Sequence, residues 1–146
     1  MLIQKSTLAL VIVAAFAAGI AAHKFFRPVT VEAAADTHVF ELRTYTAPPG
    51  KLEALKSRFR DHTITIFNRH GMRSVGYWVP SEGPEHENTL VYILQHDSRE
   101  AATKNWAEFR ADPEWVKAKG DSEKDGPLTT QVKSVFMEPT DFSAIK

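Results

Sequence analysis

The order of strand-like and helix-like segments constrains the fold of this chain more than any other sequence feature. Apolar and polar residues alternate in the first of these segments, which is typical of a strand with one face on a core. Three later segments are rich in the β-branched and aromatic residues that strands prefer. The sequence therefore predicts four strands, at Val39–Tyr45, Met72–Val79, Thr89–His96 and Gln131–Met137.

The segments between these strands have helical spacing. Apolar residues recur every three or four positions from Leu52 to His70, and Gly71 is a natural end for that helix. The run Asp97-Ser98-Arg99-Glu100 resembles a capping box with Asp97 as the cap, and it predicts a second helix. Asp112, followed by a proline, predicts a further short helix that reaches Gly120.

The resulting order, βαββαβ, predicts an α+β fold of the ferredoxin-like type. In this fold a four-stranded antiparallel sheet carries its helices on one face. The other face of the sheet needs a cover of its own, and a second copy of the chain is one way to supply it.

Composition excludes several classes of function. The chain has 18 Lys and Arg against 18 Asp and Glu, so it lacks the surplus of positive charge that nucleic-acid binding requires. Because it has no Cys, disulfides, thiolate nucleophiles, zinc-cysteine sites and iron–sulfur clusters are excluded. Hydrophobic residues make up 43% of the chain, which is enough to bury a core.

The beginning of the chain is typical of an export signal. Lys5 precedes the unbroken apolar run Leu8–Ala22, which is the order of charged and apolar regions in a signal peptide. As a helix rising about 1.5 Å per residue, the run would span about 22 Å, less than the hydrocarbon core of about 30 Å. Small residues that suit a cleavage site follow at Gly19-Ile20-Ala21 and at Ala33-Ala34-Ala35.

We therefore expect residues 1–35 to be a signal peptide, or an uncleaved signal-anchor with a short tether. Residues 36–146 are expected to form one exported domain, periplasmic or secreted. Contact with a membrane is expected only if the signal is uncleaved, through residues 8–26.

The first strand has two unlike faces. Phe40 and Leu42 point one way, and Glu41, Arg43 and Tyr45 point the other way. We expect the charged and aromatic side chains to lie on the open face of the sheet, because that face would be too mixed in character for simple exposure. Two copies packed by this face would form a homodimer and enclose a lined interior.

Four short motifs resemble the NIPSNAP family in type and in order. They are Glu41-Leu42-Arg43-x-Tyr45, Pro49-Gly50 before the long helix, Gly76-x-Trp78 in the second strand, and Asp112-Pro113-Glu114-Trp115. The resemblance runs from about Val39 to Phe142. It implies the dimeric α/β-barrel fold that cofactor-independent monooxygenases, haem-degrading oxygenases and chlorite-dismutase-like proteins also have. It implies no agreed activity.

Glu41 and Arg43 are the first candidate site residues. Since they stand two apart on a strand, their side chains point the same way, about 6.5–7 Å apart at the backbone. In a closed interior Arg43 would bind a carboxylate or an enolate, because its donors form a fixed planar fork. Alternatively, the pair sets strand register and dimer geometry.

Aromatic residues complete the predicted ligand site. Together they suit a flat organic ligand, although Trp106 and Trp115 are expected to be packing residues. We predict that the ligand-binding residues are Glu41, Arg43, Tyr45, Trp78 and Tyr92.

The histidines predict no metal site. His62 and His70 lie eight residues apart on the long helix, which is not the four-residue spacing of a helical zinc site. Haem needs only one axial His and related barrels bind it, so His96, His86 or a helical His stays open as a haem ligand; no other cofactor is predicted. Beside Asn68 near the helix end, His70 is, with Arg43, a candidate catalytic residue, for proton abstraction.

Three functions therefore compete. The first is an exported NIPSNAP-type domain that binds a small hydrophobic or aromatic molecule or serves as an interaction module. The alternative is a cofactor-independent monooxygenase or isomerase for a small aromatic or polyketide-like substrate, with Arg43 stabilising an oxyanion and a His or Tyr moving the proton. The third is haem binding. The sequence leaves open whether the chain is an enzyme.

Overall fold

Four strands form one antiparallel sheet in the computed structural model, which describes residues 38–146. The strand order is β2-β3-β1-β4, and every neighbouring pair is antiparallel. The strands are β1 (Val39–Thr46), β2 (Arg73–Trp78), β3 (Thr89–His96) and β4 (Gln131–Met137). The predicted ferredoxin-like α+β fold is confirmed. The predicted export signal at residues 1–35 and the anchor at residues 8–26 lie outside the described residues.

The first helix is not uniform. It consists of α1 (Leu52–Arg58), a π-helical turn (Phe59–Thr63) and α2 (Ile64–Arg69), and Gly71 follows in the left-handed conformation with φ +71°. The predicted end of the helix at Gly71 is confirmed. The prediction of an uninterrupted α-helix was wrong, because the π-helical turn divides it. In the wider turn the Thr63 hydroxyl donates to the carbonyl of Arg58 at 3.2 Å. Two consecutive side chains, Arg58 and Phe59, are both buried there.

Two further helices follow β3. Helix α3 (Arg99–Ala111) begins at Ser98, whose hydroxyl accepts from the amide of Ala101 at 3.0 Å. The predicted cap at Asp97 was wrong by one residue, because it is the Ser98 side chain that reaches the amide three residues on. Helix α4 (Pro113–Ser122) is capped by Asp112 as predicted. It continues past Gly120, the predicted end, to Ser122.

The core lies between the helices and one face of the sheet. Inward-facing residues of the first helix meet every second residue of β3, as the two-residue period of a strand requires. The most deeply buried large hydrophobic side chains of the whole core are Leu55, Ile66, Phe67, Met72, Tyr92, Leu94, Phe109 and Leu128. A short 3-10 turn (Pro84–Glu87) lies in the loop between β2 and β3.

The charged face of β1 is the one that the helices cover. Glu41 accepts a hydrogen bond from Trp106 of α3, and the Tyr45 ring lies 5.8 Å from the ring of Phe59. The expectation that Glu41, Arg43 and Tyr45 occupy the open face was therefore wrong. Alternation along a strand separates two sets of side chains, but it does not say which set meets the helices.

The open face carries an apolar row instead. The registered partners Leu42, Ile93 and Val135 lie on it, and Val135 is 54% exposed. Residues that follow β4 fold over one end of this face, where they line an open cavity of about 290 Å³ beside Phe40 and Val75. No helix within residues 38–146 has the length and apolar character needed to cross a membrane.

Candidate functional site

A buried carboxylate organises the charged centre of the domain. Glu41 is only 1% exposed, and each of its oxygens accepts two hydrogen bonds. Arg43 Nη1 donates to Oε1 at 2.5 Å and the Ser134 hydroxyl donates to it at 2.6 Å. Trp106 Nε1 donates to Oε2 at 2.6 Å, and His96 Nε2 lies 3.0 Å from the same oxygen. Since an ionised carboxylate only accepts, the His96 proton is on Nε2.

These donors keep Glu41 ionised. Burial alone would raise the pKa of the carboxyl, but the hydrogen bonds from His96, Ser134 and Trp106 and the charge of Arg43 outweigh it and lower the pKa to about 2. For Arg43, burial alone would lower the pKa, and the neighbouring Tyr92, Tyr45 and Glu41 hold it above its ordinary value. Glu41 and Arg43 therefore form an ion pair within one chain.

The rest of the Arg43 side chain is held by aromatic rings. Its guanidinium lies 4.2 Å from the ring centre of Trp106 and 5.5 Å from that of Tyr45. Nη2 donates to the Tyr45 hydroxyl at 3.4 Å. Within residues 38–146 the buried Nε of Arg43 has no hydrogen-bond partner, and neither has the buried hydroxyl of Tyr92, its registered neighbour on β3.

Three tyrosines pack around Phe59 beside this pair. The Tyr77 ring stacks on Tyr92 at 5.5 Å, and Phe59 meets Tyr45, Tyr77 and Tyr92 edge-on at 5.2–5.8 Å. Burial raises the pKa of Tyr92 well above its ordinary value, so this phenol stays protonated at neutral pH. These three tyrosines, Tyr45, Tyr77 and Tyr92, form a layer that packs between the Glu41–Arg43 ion pair and the outer part of the domain.

An apolar cavity opens on the outer side of this layer. It has a volume of about 250 Å³ and lies between the first helix and the ends of β2 and β3. Its lining is aromatic and aliphatic except for two cations: Lys56, Phe59, Arg60, Ile64, Tyr77, Trp78, Val79 and Leu90. The π-helical turn supplies Phe59 and Arg60, and π turns are frequent at functional sites.

The predicted ligand residues fall into two groups. Glu41, Arg43, Tyr45 and Tyr92 come together on the helix-covered face. Trp78 pairs in register with Val91, whose side chain points to the other face of the sheet. Trp78 lines the cavity described above, and the other four residues do not. The five residues therefore do not form one site.

Sequence reasoning missed three partners of Glu41. Trp106 was expected to be a packing residue, yet it both packs and donates to Glu41. His96 continues the alternation of Leu90, Tyr92 and Leu94, and that period was the available signal that it faces the core. Ser134 carried no signal of its own, since its role follows from the register of β4 on β1.

His70 belongs to a different cluster. Its Nε2 lies 2.8 Å from Asp112, to which Arg69 donates at 2.7 Å, and Arg69 also donates to Glu114 at 2.9 Å. The hydrogen bonds from His70 and Arg69 hold the pKa of Asp112 well below its usual range. The cluster fastens the end of the first helix to the start of α4, and this contact does not bring His70 to the predicted ligand residues.

The other histidines within residues 38–146 are dispersed. His62 is exposed, and His86 Nδ1 lies 2.6 Å from the carbonyl of Pro80 in the β2–β3 loop. His96 is fully buried against Glu41. No cluster of three or more His, Asp or Glu in residues 38–146 has the arrangement to hold a metal ion.

Comparisons with known proteins agree with this architecture. The NIPSNAP family model matches residues 40–144. A NIPSNAP family protein of Agrobacterium tumefaciens is 27% identical with a TM-score of 0.66, over 77% of this chain and 96% of that one. A NIPSNAP-like domain protein from Burkholderia xenovorans is 23% identical with a TM-score of 0.64, over 74% and 90%.

A more distant likeness concerns the fold alone. The monooxygenase from the gene ActVA-Orf6 of Streptomyces coelicolor, solved with nanaomycin D, is 19% identical with a TM-score of 0.51, over 72% of this chain and 89% of that one. No curated protein matches the chain at a significant level.

Proposed function

The chain belongs to the NIPSNAP family, and we propose that this member binds a small aromatic or apolar molecule and works as a homodimer. The observation that carries the ligand proposal is the 250 Å³ cavity behind Phe59, Tyr77 and Trp78. Its volume lies just below the range of about 300–1,000 Å³ for drug-sized ligands, so a ligand of one or two rings fits it.

The ligand proposal is tested by filling the cavity. Ile64 lines it and is half-buried, so Ile64→Trp places a bulky ring inside at modest risk to folding. Val116 on α4 is 58% exposed, and Val116→Trp is the matched control. With 2-naphthol as the probe in isothermal titration calorimetry, we expect Ile64→Trp to weaken binding at least about tenfold, about 1.4 kcal/mol, and Val116→Trp to leave it unchanged. Equal binding by both variants would refute this location.

An apolar row on the open face supports the homodimer. Leu42, Ile93 and Val135 form a continuous row across three strands there, and an exposed apolar patch of this kind marks an interaction surface. A second copy covers it with a surface of the same character. The proposed interface is therefore not the predicted one. The prediction placed charged residues of β1 in the dimer interface, but those residues face the helices.

A charged substitution on this face tests the homodimer. Val135→Lys puts a cation into the proposed interface, and Val116→Lys is the control at a site of similar exposure. In sedimentation velocity we expect a dimer for the unmodified chain and the control, and a monomer for Val135→Lys. A monomeric unmodified chain at micromolar concentration would overturn the homodimer and leave the ligand proposal standing, since the cavity lies within one chain.

A second candidate is the monooxygenase. It is favoured by two buried donors on registered neighbours, Arg43 Nε and the Tyr92 hydroxyl, which have no partner within residues 38–146, and by a monooxygenase of similar fold. With anthrone as the probe, the CH₂ group would become C=O: one atom of O₂ enters the product, and the other leaves as water with the two hydrogens. An oxygen electrode should record consumption that Arg43→Lys reduces at least about tenfold. Consumption equal to that of a protein-free blank would remove this candidate.

The export of the domain is also a proposal. The charged residue Lys5 followed by Leu8–Ala22 supports it. Amino-terminal sequencing of the mature protein from a bacterial host would detect a start after Ala35 or after Ala21 if the signal is cut. An intact Met1 in the membrane fraction would support the anchor of residues 8–26, and an intact Met1 in the soluble cytoplasmic fraction would refute export.

A further inference from the structure

The mouth of the cavity carries positive charge and its walls are apolar, and from this we propose that its ligand is an aromatic or apolar acid. Its carboxylate would sit between Arg60 and Lys56, with its rings against Phe59 and Tyr77. This inference rests on the proposed ligand-binding function and specifies the chemical class of the ligand.

The two cations are placed together by the helix. Lys56 lies in the last turn of α1 and Arg60 in the π-helical turn, four residues apart, which brings side chains to one side of a helix. Both line the cavity, and no acidic residue is among the residues of the described part of the chain, 38–146, that line it. A ligand with its rings against Phe59 would therefore meet two positive charges where it leaves the cavity.

The nearby acidic side chains leave most of the positive charge of Lys56 and Arg60 available to a ligand. Glu53 is 78% exposed and accepts from Lys56 at 2.5 Å; this hydrogen bond and the charge of Lys56, with a smaller effect of the Arg60 charge, lower the pKa of Glu53. Such an exposed ion pair contributes little, so a ligand carboxylate can replace Glu53 at Lys56. Asp61 accepts from the Ser57 hydroxyl at 3.0 Å. Within residues 38–146, Arg60 takes part in no ion pair closer than 4.0 Å.

Arg60 is the stronger anchor of the two. Its planar fork can donate two parallel hydrogen bonds to one carboxylate, whereas Lys56 offers a point charge. The Tyr77 hydroxyl shares a hydrogen bond with the Ser74 hydroxyl at 2.7 Å, and burial raises the pKa of Tyr77, so this side chain offers the ligand no charge. Recognition of the acid therefore depends on the helix side of the mouth and not on the strand side.

A matched pair of probes separates charge from shape. 2-Naphthoic acid and 2-naphthamide have the same rings, and only the acid is ionised at pH 7. We expect the full chain to bind the acid about tenfold more tightly than the amide, and added salt to reduce this preference. Calorimetric titration of both probes at two salt concentrations measures the ratio.

Variants locate the charge that matters. Arg60→Gln should bring the acid-to-amide ratio close to one, and Lys56→Gln should lower the ratio less. Arg60 is exposed and Arg110 is an exposed arginine of α3, so Arg110→Gln is the matched control and should behave like the unmodified chain.

The outcomes distinguish the inference that the ligand is an acid from the proposal that the cavity binds an aromatic or apolar molecule. If acid and amide bind equally well, the inference is overturned and the cavity still binds apolar rings. A preference that Arg110→Gln removes as effectively as Arg60→Gln also overturns the inference, because it would reflect general charge attraction. If neither probe binds, the ligand proposal itself is refuted.

Discussion

Replacing Glu41 by Gln should remove the central acceptor of the buried polar network. The amide keeps the shape of the side chain, but one of its two ends becomes a donor. It must face either Arg43 and Ser134 or His96 and Trp106, all of which donate to the carboxylate. Arg43, with a side chain only 15% exposed, would also lose its counter-charge.

The magnitude follows from two independent estimates. Removing one partner of a buried ion pair typically costs about 3–5 kcal/mol. The pKa of Glu41 falls from 4.5 to about 2, and at 1.36 kcal/mol per pKa unit this corresponds to about 3 kcal/mol of stabilisation. For a domain of this size, we expect Tm to fall by about 12–20 °C.

The pH dependence tests the cause. Because the folded-state pKa of Glu41 is lower than the ordinary value, its stabilisation is complete above about pH 4.5 and is lost as the pH falls towards 2. The difference in unfolding free energy between the unmodified chain and Glu41→Gln, measured by urea denaturation, should therefore shrink by about 3 kcal/mol over that window.

A control separates the buried pair from exposed ones. Glu53→Gln removes one exposed ion pair, with Lys56, and should leave Tm nearly unchanged. If Glu41→Gln does not fold, Ser134→Ala removes one donor from the edge strand and should cost about 1–2 kcal/mol. A Glu41→Gln difference below about 1 kcal/mol, or one that does not vary with pH, would refute the account of this network.

Three further changes test individual contacts. Tyr92→Phe deletes a buried hydroxyl that has no partner in residues 38–146, so the free energy of unfolding should stay within about 1 kcal/mol or rise; a loss above about 2 kcal/mol would reveal a hidden partner. Gly76→Ala should displace the half-exposed Trp78 ring, which lies 2.6 Å from the added carbon, and cost about 1 kcal/mol; an unchanged tryptophan emission spectrum would contradict this. Ser98→Ala should cost about 1 kcal/mol in urea denaturation through loss of the α3 cap, and no loss would return the capping role to Asp97.

Much of the fold was predictable because its signals are local. The strand of alternating residues at Val39–Tyr45, the end of the first helix at Gly71 and the cap at Asp112 each depend on a few neighbouring residues. The order of these segments then leaves few ways to build one sheet. Errors arose where two local signals compete, as at Asp97 and Ser98, or where the backbone departs from a regular helix, as at Phe59–Thr63.

The candidate site was predictable only in part. One of the two predicted roles for Glu41 and Arg43 was structural, and the structure shows the two side chains as an ion pair. The cavity was beyond sequence reasoning, because Phe59, Tyr77 and Leu90 come from three elements that meet only in the folded domain. Trp78 was predicted as a ligand residue, and it lines the cavity apart from the four residues with which it was grouped.

The sequence alone determined the class of fold, since hydrophobic period, caps and turn residues act within a few positions of the chain. Tertiary structure decided which face of β1 the helices cover, and with it the burial of Glu41 and the exposure of the apolar row on the open face. The reason is physical: both faces of that strand obey the same two-residue period. Only the donors that α3, β3 and β4 bring from far along the chain make the charged face the one that can be buried.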